Sequence, residues 1–142
     1  MIKIVLASAL AGLLSACATG YGSSALSYTG GYYEVKVNDK LTKVVFAGNG
    51  FLEQQQAEKY TLFRCAELAQ QAGKPYFVMY KDLAAAAAGV SSTELSSGAI
   101  GSKPATSVLV RFTDIAEQNA KSTAEVLSEL EAHRQAKKTK KS

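Results

Sequence analysis

An α+β domain is the fold class this sequence predicts: about four mostly antiparallel strands in one sheet with two packed helices, in the order ββαββα. Three observations lead there. Tyr32 to Val37 alternates apolar and polar residues, and a Val/Phe-rich run follows it across Asn38-Asp39-Lys40. Phe51 to Ala72 carries apolar residues at helical spacing and stops at Gly73 and Pro75. The same succession of strands and then a helix recurs from Tyr76 onward. At 142 residues the chain has room for one good core.

The elements follow in order. In the first strand Tyr33, Val35 and Val37 share one face, with Glu34 and Lys36 on the other. Asn38-Asp39-Lys40 is turn chemistry, so Leu41 to Ala47 returns as the second strand of a hairpin. Gly48-Asn49-Gly50 then breaks the strand. On the helix 51–72, Ala57, Thr61, Leu62, Cys65, Leu68, Ala69 and Ala72 fall within one arc. Tyr60, Arg64, Glu67 and Gln71 form an adjoining stripe, and Gly73 is the C-terminal cap. Tyr76 to Tyr80 is the third strand. Residues 83–106 are low in complexity, with consecutive alanines and many Gly and Ser, and read as a mobile loop with room for one helical turn. Ser107 to Phe112 is the fourth strand. A second amphipathic helix is expected from Ile115 to about Ala136, with Ile115, Val126, Leu127 and Leu130 inward. The α+β domain thus spans residues 32–136, and a Lys-rich tail spans 137–142.

Charge narrows the partners. The formal net charge is +4, from 16 Lys and Arg against 12 Asp and Glu. Setting aside Lys3 and the tail residues Lys137, Lys138, Lys140 and Lys141 leaves 11 basic against 12 acidic, so the body is near neutral. A nucleic-acid binder carries its cations across a folded face; this distribution argues against that class.

The beginning of the chain carries the most specific motif. Met1-Ile2-Lys3 is a short positive start, and Ile4 to Leu14 is apolar. A spanning helix needs about 20 such residues, and this run suits the core of an export signal instead. Leu14-Ser15-Ala16-Cys17 follows. Small residues let a peptidase reach the backbone, and the thiol can carry a diacylglyceryl thioether. The segment resembles the bacterial lipobox at all four positions. The resemblance implies a signal peptide over 1–16, cleavage between Ala16 and Cys17, and lipidation of Cys17. Two or more acyl chains, palmitate among them, hold a protein stably where one does not. Ala18, where Asp would retain the protein at the inner membrane, implies the outer membrane facing the periplasm in a diderm source. Residues 17–31 then form a Gly/Ser-rich tether with a reach on the order of 20 Å.

A wider resemblance covers about half of the chain beyond Cys17. Phe46, Gly48 and Asn49 at a strand end, then Ala57, Tyr60, Leu62, Arg64, Ala66, Glu67 and Leu68 on a helix, then Gly73, Tyr76 and Phe77, resemble a group of small bacterial lipoproteins of uncharacterised function. Ala124-Glu125-Val126-Leu127 is a weaker match. Leu52-Glu53 departs from the Ser or Thr usual at that helix start, and the Lys tail is not part of the pattern. The resemblance implies an envelope lipoprotein without an assigned enzymatic activity.

Few residues offer chemistry. Arg64 and Glu67 stand three apart with Tyr60 a turn earlier, which makes an intrahelical ion pair or, beside Asn49, a polar contact site. Cys65 sits at the centre of the apolar arc and reads as a buried small hydrophobe; the sharper alternative is an intermolecular disulfide or a redox thiol. His133 reads as a solvated surface residue. One imidazole provides neither a triad nor a metal site, so no cofactor is expected. The tail lysines read as a solvated helix end or as a contact with an anionic surface. The functional expectation is a non-enzymatic, lipid-anchored structural or interaction module. Its rivals are an electrostatic linker to cell wall or another anionic envelope polymer through the tail, and an envelope-stress sensor that signals through a protein partner.

Overall fold

The computed structural model describes residues 30–49, 52–100 and 103–141. The leader, Ala16, Cys17 and nearly all of the tether lie outside these residues. The strands are β1 (Gly31–Lys36), β2 (Thr42–Ala47), β3 (Tyr76–Tyr80), β4 (Ser96–Ile100), β5 (Lys103–Thr113) and β6 (Lys121–Ser122). The helices are α1 (Gln54–Gln71), α2 (Leu83–Ala88) and α3 (Thr123–Thr139). They form one small α+β domain, and every strand pairing among the described residues is antiparallel.

The expected hairpin is present. Asn38 closes its turn, its Oδ1 accepting from the N–H groups of Lys40 (2.8 Å) and Leu41 (2.9 Å). β2 then pairs with β5. The other edge of β5 is shared end to end, by β4 along residues 103–107 and by β3 along residues 109–113. The long β5 is thus the spine of the sheet, and β1 stands at one end of the strand order.

One face of the sheet carries the core. Val44, Phe46, Phe77, Met79, Val108 and Val110 meet Tyr60, Phe63 and Ala66 of α1 and Val126 and Leu130 of α3. Each large side chain buried this way contributes about 1.5–3 kcal/mol. Thr61 enters the core because its hydroxyl is satisfied: it donates to Ala57 O at 2.9 Å and meets the Thr106 hydroxyl on β5. The opposite face has a smaller cluster of Val78, Tyr80 and Leu109, covered by Ala86 of α2 with Leu41 and Ala120.

Glycine ends α1 as expected. Gly73 has φ +67, its N–H donates to Gln70 O, and Lys74 N–H donates to Ala69 O. This is a Schellman motif, which needs a residue that tolerates left-handed backbone.

Several expectations are corrected. Among the described residues there are six strands and three helices, where about four strands and two helices were expected. The stretch 83–106 is not one loop: Asp82 Oδ1 accepts from Ala85 N–H (2.8 Å), Gly89 takes the left-handed position, and the alanines between them form α2. β4 follows as the first arm of a hairpin with β5. The last helix starts at Thr123 and not at Ile115, which is 67% exposed. Ser122 caps it by accepting from Glu125 N–H. The helix also runs through Lys137 and Lys138, so the tail is partly helical. On α1 the buried arc takes in Tyr60, Phe63 and Ala66, while Leu62 and Leu68 are half-buried and Ala72 is exposed.

β1 alternates as expected, and the face with Tyr32 and Glu34 is the one turned to the helices. Tyr32 packs toward the helices, and Glu34 reaches Arg64 on α1. Tyr33, Val35 and Val37, the apolar set, are 41%, 51% and 40% exposed on the opposite face.

Candidate interaction site

Five sequence-singled residues, Tyr60, Arg64, Glu67, His133 and Lys137, converge on the seam where α1 meets α3 and β1. Tyr60 is 1% exposed, and its ring meets Phe46 edge-on with centroids 5.1 Å apart. Its hydroxyl lies at the seam, where Lys137 Nζ donates to it at 2.9 Å and His133 Nε2 lies at 3.3 Å. A neutral imidazole can accept the hydroxyl proton at Nε2 while Lys137 donates to the oxygen. Burial, then the charges of Lys137 and Lys59, lower the His133 pKa in agreement. His133 is therefore a half-buried seam residue, its ring edge-on to Tyr60 at 5.5 Å and tilted against Phe63 at 5.8 Å, and not a solvated one.

A turn farther along α1, Arg64 organises the charges. Its Nη2 and Nε reach the two Glu34 oxygens at 2.7 and 3.4 Å, and its Nη1 reaches Glu67 at 3.3 Å. The guanidinium also lies over the Tyr32 ring, 4.4 Å from the centroid. Glu67 in turn accepts from Arg134 on α3 at 3.2 Å. Burial alone would lower the Arg64 pKa; the Glu34 hydrogen bond and charge outweigh it and raise the value. Acid and base alternate along Glu34, Arg64, Glu67 and Arg134, so this network ties β1, α1 and α3 together.

Sequence reasoning found Tyr60, Arg64 and Glu67 and missed their partners. The Arg64–Glu67 pair exists, yet Tyr60 points to α3. Asn49 sits at the turn before α1, where its carbonyl accepts from Leu52 N–H at 3.2 Å. Cys65 is fully buried, and burial pushes its thiol up to about 12. Glu34, Lys59 and Arg134 carried no sequence signal beyond ordinary surface charge.

Two further features complete the surface. Lys138, Lys140 and Lys141 are exposed at the end of α3, where the helix dipole favours cations. On the sheet's other face, a cavity of about 360 Å³ lies between the β1–β2 turn and α2, lined by Lys40, Leu41, Tyr80, Ala86 and Arg111 among others. Arg111 is held there by Glu117 (2.7 Å) and Tyr80 (3.2 Å). Its hydrogen bond lowers the Glu117 pKa.

Among the described residues, no group of three or more His, Cys, Asp or Glu side chains could hold a metal ion, and no helix is long and apolar enough to cross a membrane. No protein-family model, curated protein or solved structure matches the chain.

Proposed function

We propose that this chain is a bacterial envelope lipoprotein, anchored by lipid on Cys17, whose domain is a non-enzymatic structural or interaction module. The observation that carries the reading is Leu14-Ser15-Ala16-Cys17 at the end of a short apolar run. Ala18 favours the outer membrane, periplasmic side, in a diderm host. The test is labelling with a palmitate analogue during expression in bacteria. The wild-type chain is expected to take the label and to sediment with membranes. Cys17→Ser is expected to lose both properties. An unlabelled, soluble wild-type chain would sink the reading.

A second reading, an electrostatic linker to cell wall or another anionic polymer, is favoured by the exposure of Lys138, Lys140 and Lys141 on one helix end. Co-sedimentation with isolated cell-wall sacculi at low and high salt tests it. Binding should fall with salt and with joint Ala substitution of those three lysines. Lys137 is spared because it bonds Tyr60. The third reading, an envelope-stress sensor acting through the Tyr60–Arg64–Glu67 stripe, has less support. Those side chains are 1% (Tyr60), 12% (Arg64) and 18% (Glu67) exposed and are engaged with one another's neighbours.

A further inference from the structure

We propose that β1 is a self-recognition edge, on which a second copy of this chain adds its own β1 antiparallel about a two-fold axis at Val35. The inference does not rest on the lipid anchor.

The backbone sets the hydrogen-bonding pattern. Val37 N–H donates to Leu41 O at 2.9 Å, so Val37 and Leu41 form a hydrogen-bonded pair across the hairpin. Such pairs alternate along an antiparallel ladder. With Tyr33 opposite Val45 and Val35 opposite Lys43, Tyr33 and Val35 direct their amides at β2. Glu34 and Lys36 therefore direct their N–H and C=O groups away from β2. β1 ends the strand order, and no strand among the described residues pairs with that side. An unpaired edge of this kind is a template for another strand.

Side chains then select one register. Only even-numbered residues can exchange hydrogen bonds across this edge, so even must meet even. Placing Val35 opposite Val35 of the second copy puts Glu34 opposite its Lys36, and Lys36 opposite its Glu34. Opposite charges face each other twice on the helix side, a favourable cross-strand pairing. On the other side Tyr33 meets Val37, Val35 meets Val35, and Val37 meets Tyr33. These are the three apolar side chains that the fold leaves 40–51% exposed. Sliding two residues either way opposes Glu34 to Glu34 or Lys36 to Lys36. The pattern is thus self-complementary in one register and repulsive in its neighbours. The patch is a single short edge, at the small end of protein interfaces, so the pair forms and parts readily.

Disulfide capture tests the register. Opposite residues in a non-hydrogen-bonded pair have Cα atoms about 4.5 Å apart, within disulfide range. Two copies of residue 33 would be four positions out of register, roughly 13 Å apart. The experiment uses the full chain with Cys17→Ser under mild oxidation. Val35→Cys is expected to cross-link at least tenfold faster than Tyr33→Cys, although both positions are exposed. Adding Lys36→Pro removes an outward N–H without touching the β2 ladder. It is expected to abolish capture, with an unchanged circular dichroism spectrum as the check on folding. Lys36→Glu, which keeps the backbone and opposes two carboxylates, should slow capture several-fold in low salt and less in high salt. Equal rates at 33 and 35, no capture at 35, or indifference to Lys36→Glu would each overturn the proposal.

Discussion

Lys137 Nζ donates to the Tyr60 hydroxyl at 2.9 Å, and this bond fastens the last turn of α3 to the middle of α1. The hydroxyl has no place in the apolar core around its own ring; it is satisfied at the seam by Lys137 and His133. Tyr60→Phe keeps the ring and loses both contacts. It should cost about 1 kcal/mol in urea denaturation, the typical net worth of such a bond. Tyr60→Ala should cost about 3–5 kcal/mol, as for other large core rings. Deleting residues 137–142 should cost close to what Tyr60→Phe does, whereas deleting 138–142 should cost much less. Equal effects of the two deletions would show that Lys137 is not the tie.

The same seam carries a pH dependence with a defined sign. The ordinary histidine value of 6.5 is lowered in His133 by burial and by Lys137 and Lys59. The folded state therefore binds fewer protons than the unfolded state between the lowered value and about 6.5. Stability rises with pH wherever the unfolded state binds more protons. The contribution is fully present above about 6.5 and is lost as pH falls from there through the folded value. Thermal unfolding followed between pH 8 and pH 5 should show a falling midpoint, and His133→Asn should flatten the part of the slope below pH 6.5. A wild-type slope that His133→Asn leaves unchanged would assign the effect to other groups.

Arg64 is the second fastening, and its geometry is specific. It grips Glu34 through two nitrogens while stacking on Tyr32. Lysine has one compact charge and no planar face, so Arg64→Lys is not conservative here. Arg64→Ala should cost about 1–2 kcal/mol, because it leaves Glu34 without its cation and strips the Tyr32 ring of its cover, while Glu67 keeps Arg134. Arg64→Lys should recover less than half of that. Hydrogen exchange should report the damage locally, with faster exchange at the β1 amides of Tyr33 and Val35 than in β5.

Local chemistry was legible in the sequence and partner choice was not. Asn38 and Gly73 act within a few residues of themselves, so the hairpin turn and the end of α1 could be placed from residue type. Period was legible in β1; which of its faces meets the helices was not. Tyr33, Val35 and Val37 share an apolar face, yet the face that meets the helices is the other one, where Glu34 reaches Arg64 and Tyr32 packs on the core. Composition misled at 83–106, where a run of alanines reads as low complexity. Asp82 and Gly89 mark both ends of a short helix there. The start of α3 was also marked locally, by Ser122 and Glu125 at capping spacing, but the apolar Ile115 drew the boundary too early. His133 was misplaced as a solvated residue, since its environment comes from Tyr60, Phe63 and Lys59, far away in the chain.

Cys65 gives the simplest check on the core. It lies at the centre of the α1 arc, fully buried among apolar neighbours, and burial pushes its thiol up to about 12. Thiolate is the reactive form, so at pH 8 the folded protein should hold Cys65 both inaccessible and protonated. In a chain carrying Cys17→Ser, a chromogenic disulfide reagent should release almost no colour from the native protein. Urea should bring the reaction to one equivalent, in step with the loss of helical circular dichroism. Its rate in native buffer then measures the opening of α1 from the sheet, so Tyr60→Phe and Arg64→Ala should each speed it in proportion to the stability they lose. Rapid labelling of the folded wild type would place Cys65 at the surface and contradict the packing of α1 described here.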